Sequence, residues 1–309
     1  MSVDVPQTVA PSVAMAGVQP SLAELVALRA LAGRGGGARR AHRGARMQAP
    51  APARGHGMEY AESRDYVAGD DARHIDWRVT ARTGRPHSKT FQTERERLTL
   101  LVADTARVLY FGTRVRFKSV QAARAGAIAV WSAVAEGDRV AALRGSSAEA
   151  PVPPASGHRG ALRVLHALTR WYAQPPVSDD GLEVALDHAR RLAHPGARVW
   201  VLADAGSIVD IASRHWLALS AHSEVRVLLL SDPFEHAPPH ARVALSGSSG
   251  RLDLDLGSSE ARRHWDARFT GTVMRAADLL GAAGVHAATL SCDAPSDGWQ
   301  PVAGRLVRG

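Results

Sequence analysis

"LTLLVAD", residues 98–104, is an apolar run closed by an aspartate and preceded directly by the polar stretch "SKTFQTERER", residues 88–97. An unbroken apolar run of this length bounded by charge reads as a strand buried on both faces. "FKSVQAARAGAIAVWSAVAEG" (117–137) follows, with Val120, Ala123, Ala127, Val130, Trp131 and Val134 at helical spacing and Gly137 as the stop. "DRVAALR" (138–144) reads as the next strand, and "HRGALRVLHALTRWYA" (158–173) and "DGLEVALDHARRLAHPG" (180–196) as amphipathic helices. "ARVWVLAD" (197–204) is a further buried strand, "IVDIASRHWLALSAHS" (208–223) a helix and "EVRVLLLSD" (224–232) a strand. "ARVALS" and "RLDLDL" flank a Gly-Ser turn and predict a hairpin, a long helix is expected over 259–283, and "VHAATLS" is a last strand.

Strands alternating with helices at this spacing specify an α/β fold with a mostly parallel sheet covered on both faces. Three strands end at Asp104, Asp204 and Asp232. Carboxyl ends of parallel strands are where ligands bind in such sheets. Neither G-x-G-x-x-G nor G-x-x-x-x-G-K-[ST] follows any of them, so a nucleotide site is not expected.

The 309 residues, 45% hydrophobic and 22% charged, suit one large domain, or one domain with an appended piece. No apolar run reaches the roughly 18 residues of a membrane span. The opening "MSVDVPQTVAP" has neither a basic nor an apolar leader region, and Cys292 is the only cysteine, so the cytoplasm is the expected compartment. The formal charge of +8 comes almost wholly from arginine, Lys89 and Lys118 being the only lysines. Acids are interspersed everywhere except within residues 34–54, which favours a solvated surface over a nucleic-acid site. "SLAELVALRALAG" (21–33) predicts a short helix capped by Ser21, with Glu24 at the capping-box position. The arginine-rich, Gly- and Pro-broken stretch 34–54 reads as a flexible basic linker.

The polar stretch before the first strand carries a resemblance. Arg64-x-Tyr66-x-x-Gly69-Asp70-Asp71-x-Arg73-x-Ile75-Asp76-Trp77, then Ala81-Arg82-Thr83, Phe91, Glu94, Asp104, Phe111-Gly112, Lys118 and Gly137-Asp138, resembles the domain-of-unknown-function family numbered 58. The resemblance covers roughly residues 55–292. It implies a doubly wound sheet of von Willebrand factor A type with a polar N-terminal extension and an inserted late hairpin. It also implies a non-enzymatic adaptor or assembly factor that works with a MoxR-type AAA+ ATPase. The expected organisation is a flexible region 1–54, a signature extension 55–97 packing on the sheet, the von Willebrand A-like domain 98–292 and a tail 293–309.

Von Willebrand A domains hold Mg2+ through D-x-S-x-S at the tip of the first strand. Here that stretch is Asp104-Thr105-Ala106-Arg107-Val108, and neither Ala106 nor Val108 has a side-chain oxygen. With only Asp204 and Ser178 to stand near the remaining ligand positions, the octahedral oxygen shell of Mg2+ is incomplete and no metal or other cofactor is expected. The strand-tip site is therefore read as Asp104, Arg107 and Asp204, with one of the nearby arginines Arg107, Arg114 and Arg116, Arg107 first, taking the electrostatic place of the metal, or Asp104 accepting backbone N–H bonds at the next helix start.

Arg64, Tyr66, Gly69, Asp70, Arg73, Asp76, Trp77 and Arg82 are read as a latch in which the charges satisfy one another, with partner contact at its rim. A recognition surface alone is the other reading. The alternative function is a metal-assisted hydrolase built on Asp70, Asp71, His74 and Asp76, against which stand the missing second cluster at metal spacing and the absent G-x-S-x-G elbow. Basic nucleic-acid binding is weaker still, because the linker lacks interleaved aromatics.

Overall fold

The computed structural model describes residues 17–32, 58–67, 70–93, 97–177, 179–247 and 250–300. The chain divides into two compact units, Arg39–Glu96 and the remainder. In the larger unit, α1 (Leu22–Ala27) precedes β3 (Leu98–Ala103), numbering β1, β2 and α2 within the smaller unit below. Then come α3 (Lys118–Ala135), β4 (Arg139–Arg144), β5 (Val152–Ala155), α4 (Gly157–Trp171), α5 (Gly181–Leu192) and β6 (Arg198–Asp204). The chain continues through α6 (Ala205–Val209), α7 (Ser213–Ser220), β7 (Glu224–Ser231), α8 (Pro233–His236) and the hairpin β8 (Arg242–Gly247) and β9 (Gly250–Asp255). It closes with α9 (Ser259–Arg268), α10 (Thr270–Ala282) and β10 (His286–Ser291).

Six strands form one sheet in the order β10-β7-β6-β3-β4-β5, parallel throughout except for β5 at one edge. Alternate residues of β3 divide between two cores. Leu101 and Ala103 pack with α3 and α4, whereas Leu100 and Val102 pack with α5, α7 and α10. Both faces of the sheet are thus covered by helices, which is why β3 and β6 are apolar at nearly every position. Helix α3 is buried on almost all sides, and Gly126 lets it lie close to the sheet, where an added Cβ would sit 2.9 Å from Leu202 Cδ1 and 3.1 Å from Leu101 Cδ2. At the amino ends of the strands the buried Arg198 guanidinium pairs with Glu136, Asp138 and Glu224. Burial pulls its pKa down, and Glu136 and Glu224 more than reverse that.

Several boundaries differ from the sequence reading. Helix α1, expected in a flexible region, is packed: Leu25 is fully buried, its carbonyl accepts Trp131 Nε1, and Glu24 pairs with Arg124. Its Ser21 cap is observed, with Oγ accepting from Glu24 N at 3.2 Å. Residues 293–300, expected in a tail, also pack, Trp299 lying edge-on to Trp200 at 4.6 Å between centroids. The single helix over 259–283 is two helices broken at Phe269, which stacks at 4.4 Å on Trp265. The hairpin forms in the predicted place. No helix among the described residues is long and apolar enough to cross a membrane.

The smaller unit holds β1 (Met58–Asp65) antiparallel to β2 (His87–Thr93), with the short helix α2 (Trp77–Thr83) between them.

Candidate functional site

Strand order reverses between β3 and β6, so the crevice at their carboxyl ends is the topological switch point of the sheet. Three aspartates meet there, and each is spent on backbone. Asp104 accepts from Ala106 N at 2.9 Å and from Asp204 N at 3.2 Å. Asp204 caps α6 through Gly206 N at 2.8 Å. Asp232 caps α8 through Phe234 N at 2.9 Å and reaches back to Thr113, whose N and Oγ1 lie 2.9 and 2.5 Å from its carboxylate. Glu235 closes a capping box by accepting from Asp232 N at 2.9 Å.

At this site lies a cation that the sequence reading placed in the family signature but not at the strand tips. Lys118, the first residue of α3, is 0% exposed, with Nζ 2.6 Å from Asp204 Oδ2 and 2.7 Å from Glu235 Oε1. Burial would lower its pKa, but the charges of Asp204 and Glu235 outweigh it and hold the ammonium above the ordinary lysine value. Burial likewise pushes Asp104 up to about 6, against the hydrogen bonds of Ser207, Ala106 and Asp204. Arg107, expected to fill this role, is exposed on a 3-10 turn spanning Arg107–Leu109 and forms no ion pair among the described residues. Of the two readings of Asp104, hydrogen bonding to backbone at the following turn is the geometry present.

This donor set does not fit Mg2+. Every oxygen of Asp104, Asp204, Asp232 and Glu235 already accepts a hydrogen bond, two of them from Lys118. A divalent ion would have to displace a buried ammonium or stand beside it, and Ala106 and Val108 offer no oxygen in exchange. Titration calorimetry with Mg2+ should give no saturable heat. The double variant Ala106→Ser, Val108→Ser should give none either, because Lys118 remains; a one-to-one micromolar site in it would show that the lysine yields to metal.

Over this buried cluster the loop 105–117 exposes Arg107, Val108, Arg114 and Val115. The loop doubles back tightly: a Cβ on Gly112 would lie 2.3 Å from the Arg116 carbonyl oxygen. Arg116 itself is turned inward, Nη1 donating at 2.9 Å to Gln121 and to the carbonyls of Cys292 and Ala294. Cys292 is buried, which pushes its thiol up to about 12.

In the smaller unit the latch residues separate into two groups. Arg64 Nη2 meets Asp70 Oδ1 at 2.6 Å, Asp70 Oδ2 accepts from Val67 N at 3.1 Å, and Tyr66 OH donates to the Asp70 carbonyl at 3.2 Å. The Val67 and Arg64 bonds hold the Asp70 pKa below the usual carboxylate value. Asp76 does not pair with Arg73 or Arg82. Its Oδ1 caps α2 through Arg78 N and Val79 N at 3.1 and 3.2 Å, while Oδ2 accepts from Ser63 Oγ at 2.8 Å, the contact that most lowers its pKa. Helix capping takes priority because α2 has only two turns and its first N–H groups have no other acceptor.

Arg73, Arg82 and Trp77 instead face solvent, Trp77 with 70% of its surface exposed. Gly69 lies outside the described residues, as do Glu94, Ser178 and the stretch 34–54. The carboxylates of the hydrolase alternative do not converge: Asp71 accepts from Arg73 N at 2.9 Å, and Asp70 and Asp76 are used as above. Among the described residues no group of three or more His, Cys, Asp or Glu is placed to hold a metal.

Residues 62–272 match the family described as "Protein of unknown function DUF58". Uncharacterized proteins of Mycobacterium tuberculosis and Mycobacterium bovis are 32% identical over 184 residues, covering 58% of this chain and 56% of theirs. The chain thus aligns with little more than half the length of these relatives. No solved structure matches.

Proposed function

The chain belongs to the DUF58 family, and on that premise we propose that it is a von Willebrand A-like protein-interaction module, an adaptor or assembly factor for a MoxR-type AAA+ ATPase, whose strand-tip site works without metal. The observation that carries this reading is the exposed Trp77. A tryptophan 70% open to water, on the same small unit as the exposed Arg73 and Arg82, presents the residue types that dominate binding energy at protein interfaces. The carboxylates around it hold the hairpin and α2 in shape, so the latch and the contact surface are different residues of one segment. Lys118 supplies permanently the positive charge that a metal would lend to the strand tips.

The test is native copurification of the tagged full-length chain with and without ATP. An AAA+ ATPase of MoxR type should be retained by the wild type and lost from Trp77→Ala and Arg73→Glu, with denaturant midpoints unchanged within about 0.5 kcal/mol. Asp76→Ala should instead lower the midpoint by removing the α2 cap and the carboxylate that accepts from Ser63 Oγ. If Trp77→Ala keeps the ATPase, or if no ATPase copurifies at all, the reading fails.

A further inference from the structure

A second surface stands apart from both the strand tips and the signature segment. An open groove of about 910 Å3 runs along the outer side of α4 beside the edge strand β5. Its floor is apolar: Leu22 and Leu162 are 36% and 43% exposed, and Val152 and Pro153 continue it. Leu162 stands out from a helix whose other leucines, Leu165 and Leu168, are fully buried. The rim is basic. Arg159, Arg163, His166 and Arg170 follow one another along the exposed side of α4, and among the described residues none lining the groove is acidic.

Of the rim cations only Arg170 is answered by a carboxylate within the described residues. Glu149, which lies nearby in the chain, is already held by Arg144 at 2.9 Å, by Trp171 Nε1 at 2.7 Å and by Arg170. Arg159 and Arg163 have no carboxylate partner there. The chain's own stretch 34–54 contains no acid and has the wrong sign to fill the groove. Strand addition is also disfavoured, because Pro153 and Pro154 remove two N–H groups from the four residues of β5. What fits is a segment that brings its own backbone hydrogen bonds, apolar side chains for the floor and carboxylates for the rim.

We propose that this groove docks an acidic amphipathic helix of a partner protein, with its apolar stripe seated on Leu22, Val152 and Leu162 and its carboxylates against Arg159 and Arg163. The proposal stands on the groove's own chemistry and holds whatever the ATPase experiment returns. An apolar floor distinguishes it from a site for nucleic-acid phosphate, which the rim alone would serve.

Fluorescence anisotropy of the full chain tests this, using a fluorescein-labelled peptide of about five helical turns with leucines along one stripe and glutamates elsewhere. Saturable binding is expected, with a dissociation constant on the order of 10 µM at low salt. Arg159→Glu with Arg163→Glu, and separately Leu162→Asp, should each weaken it at least about tenfold. Arg190→Glu with Arg191→Glu, exposed on α5, should leave it unchanged. The proposal is overturned by absence of saturable binding, by equal losses in the α5 control, or by retention of binding in the groove variants. Equal affinity for the same peptide with glutamine in place of leucine would reduce the groove to a charged surface and also sink it. So would self-association in ultracentrifugation that Leu162→Asp abolishes, since the occupant would then be a second copy.

Discussion

Lys118→Met should destabilise the larger unit by about 3–5 kcal/mol, the cost of leaving a buried pair without one partner, because Asp204 and Glu235 would both lose the ammonium between them. Methionine keeps most of the side-chain volume, so the loss reports charge rather than a cavity. Urea melts check the size, and Lys118→Met combined with Asp204→Asn and Glu235→Gln should recover a large part of it. Recovery of nothing would show that packing, not pairing, gives Lys118 its importance. The sign of the pH dependence follows from the raised pKa of this group. Its contribution is complete below the ordinary lysine value of 10.5 and is lost only as pH rises through the higher folded value. The difference in midpoint between wild type and Lys118→Met should therefore be constant from neutral pH to about 10 and shrink above it.

Asp232→Ala should cost about 3 kcal/mol, because it removes the acceptor of Phe234 N and both acceptors of Thr113 in one change. Thr113→Val removes only the hydroxyl donor and should cost about 1 kcal/mol. The Asp232 variant also unpins the loop 105–117, so trypsin should cut at Arg114 sooner than in wild type while the rest of the larger unit holds. Unchanged cleavage would mean that the bend at Gly112, and the bond from Phe117 N to the Gly17 carbonyl, suffice to hold the loop.

The central strands were legible because β3, β6 and β7 bury both faces, which leaves an unbroken apolar signature in the chain. The edge strand β10 was legible too, but the opposite edge and the smaller unit were not. Strand β5 carries Pro153 and Pro154, residues that argue against a strand wherever an N–H must join a ladder. The β1–β2 hairpin hides behind charges that serve α2 and the turn before it rather than any apolar alternation. The break at Phe269 falls inside a continuous helical period, and its stacking on Trp265 has no local sequence signal.

At the site, Asp104 and Asp204 were readable as strand ends, but their cation was sought among neighbours in sequence. Lys118 joins Asp204 from 86 positions away and Glu235 from 117, a meeting that only the folded topology creates. Two signals did point to it: one of only two lysines in a chain otherwise rich in arginine, and Asp232-Pro233-Phe234-Glu235, whose capping-box pattern fixes Glu235 at the same crevice.

The prolines of β5 reach beyond ligand choice to how copies of this protein can join through their sheets. Polymerising a sheet requires two edges that each accept a new strand, so that every added copy leaves another open end. At the β5 end the ladder is terminated by Pro153 and Pro154, and β10 alone occupies the opposite end. Edge-to-edge growth of the six-stranded sheet is then confined to β10 meeting β10, a twofold contact that consumes both of its open ends. Joined only through its own two edges, the six-stranded sheet closes into a pair rather than propagating into a fibre.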